Sequence, residues 1–272
     1  MTILVTGARG NVGGRVLARL VQLGAPARGS AREAGRADVQ LDITDPWNAG
    51  VALKDVTAMF LYATRGPAPD AFLRAAREAG VEYVVLLSSP DVYEGPPENP
   101  IRLAHVNVER SLEGSGLPHT VLYPGWLAGD ARRDWGASVR ESGRVAMTHP
   151  DAQFTPIHED DVAEVAAELL VHRAYPGRML SLTGPESLRQ RDIVAVLADV
   201  LGRPLAIDEL SREEALRARE PWMPERVLEY LLDNAAAAVG RPAPVNNTVE
   251  RFTGHPARPF RQWALEHRAD FG

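Results

Sequence analysis

Cysteine is missing from all 272 residues. Its absence excludes disulfides, a thiol nucleophile and a thiolate metal site. Lysine is almost missing too: of 30 basic residues, 29 are arginine and Lys54 is the exception. Chemistry that needs a lysine amine must use Lys54 or do without one. No apolar run approaches the roughly 20 residues of a membrane span. The opening MTILVTG reads as a strand, not as a basic segment before an apolar core, so no secretory signal is expected. Excess positive charge is also lacking. A formal charge of −6 argues against a nucleic-acid partner, whose phosphates call for clustered cations. What is present, 45% hydrophobic and 24% charged residues, suits a soluble globular chain with a sizeable core. The expectation is a cytoplasmic protein, monomer or homodimer, acting on a small molecule, with no membrane or nucleic-acid partner.

Strand-like and helix-like segments alternate along the first ~120 residues. Thr2–Thr6, Pro26–Ala31, Asp38–Ile43, Val56–Tyr62, Glu82–Ser88 and Thr120–Tyr123 read as strands. Asn11–Leu23, Asp70–Ala79 and Ile101–Glu113 read as helices between them. Such alternation implies βαβ units with right-handed crossovers and a mostly parallel sheet. The later half is less regular. Helices are expected over Asp134–Ser142, His158–His172, Arg189–Leu201 and about 211–219 and 224–239, with strands at Arg144–Met147 and Arg178–Leu182. The division expected is 1–130 for the part built of βαβ units and 131–272 for a part that completes the sheet and forms a smaller, mainly helical lobe.

Strand TILVT runs into Thr6-Gly7-Ala8-Arg9-Gly10-Asn11-Val12-Gly13 and then a helix. Three glycines at this spacing allow a tight turn, close approach to a pyrophosphate and packing of the helix on its strand. The helix start offers free N–H groups and partial positive charge to phosphate. Gly7, Arg9, Gly10, Asn11, Val12 and Gly13 are the candidate dinucleotide loop. The second strand ends in Arg28-Gly29-Ser30-Ala31-Arg32, with no acid before Glu33. An acid there favours NAD and an arginine favours the 2′-phosphate of NADP. Arg32 is the first choice for that phosphate, with Arg28 and Ser30 as helpers, and NADP(H) is favoured over NAD(H). A solvated basic loop is the competing account. Asp42 and Ile43, after the third strand, are placed to border the adenine, or Asp42 simply opens a turn.

The TGxxGxxG start and the run His105-x-x-x-Glu109-x-x-Leu112-x-x-Ser115-Gly116-Leu117-Pro118-x-Thr120, followed by Tyr123-Pro124-Gly125-Trp126, resemble the NmrA-like group of atypical short-chain dehydrogenases/reductases. Further similarity lies in Ile157-His158-Glu159-Asp160-Asp161-Val162-Ala163, in Leu182-Thr183-Gly184-Pro185-Glu186 and in Val249-Glu250-Arg251-Phe252-Thr253-Gly254 with Trp263. The resemblance spans nearly the whole chain. It implies an α/β fold, a Rossmann doubly wound parallel sheet with a smaller lobe for substrate. That group includes NAD(P)H-quinone reductases, plant isoflavone and phenylcoumaran benzylic ether reductases, and redox-sensing regulators without turnover.

Common short-chain dehydrogenases protonate substrate with a Tyr-x-x-x-Lys pair. Ile101 and His105 stand where that pair belongs, and Lys54 lies far upstream. In the plant ether reductases a single lysine heads the corresponding helix, and its position falls on His105. Histidine titrates near neutrality and can bond the nicotinamide ribose or a substrate oxygen. His105 is therefore the candidate catalytic residue, against a cofactor-holding or packing role. Ser88-Ser89-Pro90-Asp91-Val92-Tyr93 resembles a segment of extended short-chain dehydrogenases: Ser88 and Tyr93 are candidate ligand contacts, or a plain loop. Tyr62, Ala63 and Thr64 end the fourth strand, where the nicotinamide ribose would lie. Trp126 either stacks on an aromatic substrate or packs. His158 to Asp161 point in different directions on a helix and read as its charged start, not as a metal site. No G-x-S-x-G elbow supports a hydrolase. The reading is an NADPH-dependent reductase of a small conjugated, aromatic or quinone-like acceptor. The alternative is a non-catalytic NADP(H)-binding sensor or interaction regulator.

Overall fold

The computed structural model describes residues 2–62, 66–173 and 175–272, apart from the side chain of Glu94. The first half runs β1 (Thr2–Val5), α1 (Asn11–Gln22), β2 (Ala27–Ala31), β3 (Val39–Gln40), α2 (Ala49–Ala52), β4 (Val56–Tyr62), α3 (Asp70–Glu78) and β5 (Tyr83–Leu87). It continues with α4 (Asp91–Glu94), α5 (Pro100–Ser115) and β6 (His119–Pro124). Then follow α6 (Asp130–Ser142), β7 (Arg144–Met147), β8 (Gln153–Phe154), α7 (Glu159–His172), β9 (Arg178–Leu182), β10 (Leu188–Arg189) and α8 (Gln190–Leu201). The chain ends with β11 (Ala206–Glu209), α9 (Arg212–Arg217), α10 (Glu225–Ala237), α11 (Thr248–Thr253), α12 (Phe260–Glu266) and a 3₁₀ turn at Arg268–Asp270.

Two compact units emerge: residues 1–124, 159–182 and 251–254 form one, and 125–158, 183–250 and 255–272 the other. The first holds a seven-stranded sheet in the order β3-β2-β1-β4-β5-β6-β9, with every pairing parallel. Side chains alternate across a strand, so both faces need a cover. Leu4, Met59, Leu61, Val84, Leu86 and Val121 point to one face, against Phe72 and Leu73 of α3 and Val106 and Leu112 of α5. Val5, Phe60 and Val85 take the other face, which α1 and α7 cover. This is the doubly wound Rossmann arrangement. Strand order reverses between β1 and β4, the crevice where such sheets bind ligands.

The strand expected over Asp38–Ile43 shrinks to Val39–Gln40. Asp38 turns back to accept the Gly29 N–H at 2.7 Å, and Asp42 bends the chain by accepting from Thr44. The segment after Ser89, for which a ligand contact or a plain loop was the alternative, forms the short helix α4. In the second unit, β7 pairs parallel with β11 and β8 antiparallel with β10. Its core gathers Trp135, Val139, Ile193, Leu197, Phe260 and Trp263. Among the described residues, no helix is long and apolar enough to cross a membrane.

Candidate active site

The turn after β1 is built from its backbone outward. Thr6 is buried, and its hydroxyl donates to the Phe60 carbonyl at 3.0 Å while accepting the Tyr62 N–H at 3.1 Å. That couples the end of β1 to the end of β4. Gly7 has φ +65°, in the left-handed region, and its carbonyl accepts the Gly10 N–H at 2.8 Å. A Cβ on Gly13 would sit 2.3 Å from the Gly7 carbonyl oxygen, so α1 meets the loop at a distance only glycine allows. Gly10 caps α1 without a side-chain hydrogen bond, and the first turn carries no acid. The first N–H groups of α1 thus face outward without side-chain caps, a fit for a diphosphate. Arg9 is exposed at the loop, whereas the side chain of Val12 is buried.

Asn11 faces two ways. Its backbone opens α1, while its side-chain amide donates to Glu159 Oε1 at 2.9 Å. One turn on, Arg15 pairs with Asp160 at 3.1 Å. The acidic start of α7, legible as a helix beginning, is therefore more than a solvated end: Glu159 and Asp161 are fully buried, and the segment is tied to the glycine-loop helix.

The arginines near β2 separate. Arg28 bonds the Lys54 carbonyl, just before β4, at the amino edge of the sheet and away from Arg32. Ser30 is buried, its carbonyl accepting the Ala8 N–H at 3.0 Å. Arg32 emerges exposed after β2. Its charge acts on Asp42: burial would raise that carboxyl, but the Thr44 hydroxyl at 2.7 Å, the Thr44 N–H at 2.9 Å and Arg32 hold it below its usual range. Ile43 packs its side chain into the core. Ala63 and Thr64 lie outside the described residues.

At the carboxyl ends of β5 and β6 a chain of polar side chains runs inward from α5. His105 and Glu109, four residues apart, share one helix face. His105 Nδ1 lies 3.4 Å from the Ser88 hydroxyl, which itself donates to Glu109 Oε1. The Tyr123 hydroxyl donates to Glu109 Oε2 at 3.0 Å. Tyr93 from α4 follows, its hydroxyl 3.2 Å from that of Tyr123 and 2.8 Å from Met179 Sδ. Burial pulls the His105 imidazole below its ordinary value, partly offset by Asp91. Burial also pushes the Glu109 carboxyl up against the opposing hydrogen bonds from Ser88 and Tyr123. Tyr123 is raised by burial, by Tyr93 and by the Glu109 charge. Sequence reasoning singled out Ser88, Tyr93 and His105 for a role, and the fold links them. It missed Glu109 and Tyr123 as their connectors, although the i,i+4 spacing of His105 and Glu109 was a signal.

Trp126 belongs to the second unit. Its ring centroid lies 5.7 Å from Trp135 and 6.4 Å from both Phe154 and Phe260, an aromatic cluster of which it is a half-buried member.

Comparison with known proteins follows the same lines. Residues 7–173 match the family described as NAD(P)H-binding, from the glycine loop to the end of α7. The chain belongs to the NAD(P)H-binding family. Within that family, a (4-alkanoyl-5-oxo-2,5-dihydrofuran-3-yl)methyl phosphate reductase of Streptomyces griseus is 35% identical over 279 residues, covering 99% of both chains. An NAD(P)H azoreductase of Xenophilus azovorans is 27% identical, again over 99% of both. The fold of the NADPH-dependent quinone oxidoreductase of Escherichia coli, solved with NADPH, matches with TM-score 0.80 at 21% identity, covering 98% of this chain and 99% of that one. This NAD(P)H-binding chain thus stands among NAD(P)H-dependent reductases.

Proposed function

We propose that the chain is an NADPH-preferring reductase delivering hydride to a small conjugated acceptor of aromatic or quinone-like character, with His105 as the polar group at the acceptor. The observation that carries this reading is the His105 imidazole, set against Ser88 beside the carboxyl end of β5 and drawn below its ordinary pKa by burial. Ligands of doubly wound sheets lie outside that edge. The relatives support the acceptor class. One is named for an unsaturated oxo-dihydrofuran carrying an acyl group, the other for an azo bond, and both are conjugated π-systems.

NADPH supplies the hydride when bound. The glycine loop and the uncapped start of α1 would receive the diphosphate, and exposed Arg32 would pair with the 2′-phosphate. His105 gives one proton to the acceptor, so acceptor, hydride and proton sum to the two-electron-reduced product. An imidazole with a pKa below about 6.5 is increasingly neutral as pH rises. Turnover of acceptors that require this proton should therefore fall on the alkaline side of that lowered value.

Calorimetric titration with NADPH, NADP⁺, NADH and NAD⁺, followed by NADPH oxidation against quinones, azo compounds and unsaturated ketones, tests the reading. NADPH should bind most tightly of the two reduced forms. Arg32→Ala should weaken it roughly tenfold to a hundredfold while sparing NADH, the loss expected for a charge-assisted hydrogen bond. Tighter NADP⁺ than NADPH, with no acceptor reduced, would replace the reductase by a non-catalytic sensor. Failure of all four nucleotides to bind would remove both.

A further inference from the structure

We infer that Glu109 is a positioning residue for His105: through the Ser88 hydroxyl it holds one ring proton on Nδ1, so that the second proton of the imidazolium, the one handed to the acceptor, is at Nε2. The inference rests on the reductase reading for its purpose, but not for its geometry.

The argument is an accounting of hydroxyl protons. A serine hydroxyl has one proton to donate, and Ser88 spends it on Glu109 Oε1. Only the Ser88 lone pairs then face His105 Nδ1 at 3.4 Å, so the ring proton belongs on Nδ1. The same count holds on the other arm. Tyr123 spends its proton on Glu109 Oε2, so it has none left for the Tyr93 oxygen 3.2 Å away. The Ser88 and Tyr123 hydroxyls are both turned toward Glu109, their common acceptor, while the Tyr93 hydroxyl donates to Met179 Sδ. Ser88 is almost fully buried, so its rotor has little access to water as a substitute partner. Removing Glu109 therefore frees the Ser88 and Tyr123 protons to point elsewhere.

A carboxamide makes the consequence sharp. Glu109→Gln keeps the shape but offers one accepting oxygen and an NH₂ that only donates. It can accept from Ser88 or from Tyr123, not both. Where Ser88 loses its acceptor, its proton turns to His105 Nδ1, and the ring takes the opposite tautomer, with its own proton on Nε2. The charge acting on this histidine is that of Asp91 from α4, whereas Glu109 on its own helix reaches it through the Ser88 hydroxyl. Glu109 in turn faces Tyr123 from β6, Glu113 on α5 and His119 at the start of β6. With the Ser88 proton turned toward Nδ1, the imidazolium loses the lone pair that accepts its Nδ1 proton, so the alkaline limb of turnover should shift to lower pH.

The test reads the ring directly. Nitrogen-15 NMR of His105 in the nucleotide-free protein should show the Nδ1–H tautomer, and Glu109→Gln should convert it, wholly or in part, to Nε2–H with a lower pKa. In turnover, Glu109→Gln should lower kcat roughly tenfold or more with KM for NADPH unchanged, and move the alkaline limb to lower pH. Ser88→Ala, which removes the bridge, should also release the tautomer. Combined with Glu109→Gln it should cost no more than either change alone. That variant carries the test if Glu109→Gln does not fold. Wild-type tautomer and pKa in both variants would overturn the inference. So would additive losses of kcat. Absence of turnover in the wild type would instead sink the reductase reading, and the NMR result would still decide whether Glu109 sets the ring.

Discussion

Gly13 has no room for a methyl group, since an added Cβ would meet the Gly7 carbonyl carbon at 2.9 Å as well as its oxygen. Backbone cannot step aside as a flexible side chain can. Gly13→Ala should therefore cost about 1–3 kcal/mol of stability, the usual range for overpacking, and push α1 away from the loop. Denaturant unfolding would read the first effect and NADPH titration the second, with affinity falling more than tenfold. Unchanged stability would mean that the close approach is not needed. The glycine loop was legible in the sequence because its geometry depends on neighbours in the chain. Other residues were legible only in part. Val12 and Ile43 were grouped with the cofactor contacts, yet both side chains pack inward. Arg28 was set beside Arg32 by sequence, yet it bonds Lys54. Four residues of separation cannot say toward which edge of a sheet a long side chain will run.

At the scale of elements, α5 is the one that presents the site. It opens with Asn99 as N-cap, whose side chain accepts the N–H groups of Ile101 at 2.8 Å and Arg102 at 3.2 Å, and with Pro100 in the first turn. Both features are standard helix starts. They set the register in which His105 and Glu109 face β5 and β6. Asn99→Ala should lower stability by about 1 kcal/mol in chemical denaturation, and Asn99→Asp should restore most of it. Loss confined to turnover, with no change in unfolding, would assign the cap a different role. The alternation of strands and helices was readable from apolar periodicity. The short pieces were not. Strand β3 ends where Asp42 turns the chain, and α4 is too brief to show a period. The acidic start of α7 read correctly as a helix beginning, but its ties to Asn11 and Arg15 join residues over 140 positions apart.

For the whole molecule, a ligand that binds only the folded chain raises its stability by mass action. At a hundred times its dissociation constant, NADPH should add about 2.7 kcal/mol, a rise in melting temperature of roughly 5–10 °C. NADH at the same concentration should add less, and Arg32→Ala should bring the two shifts together. Equal shifts for both nucleotides in the wild type would remove the NADP preference. The sequence by itself determined the parallel α/β class, the position of the dinucleotide loop and the absence of a Tyr-x-x-x-Lys pair, because local periodicity and composition encode each of these. Only the tertiary structure decided the partners of His105. Ser88 follows β5, Glu109, Tyr123 and Tyr93 come from α5, β6 and α4, and a hydrogen bond acts over about 3 Å of space, whatever their separation in the chain.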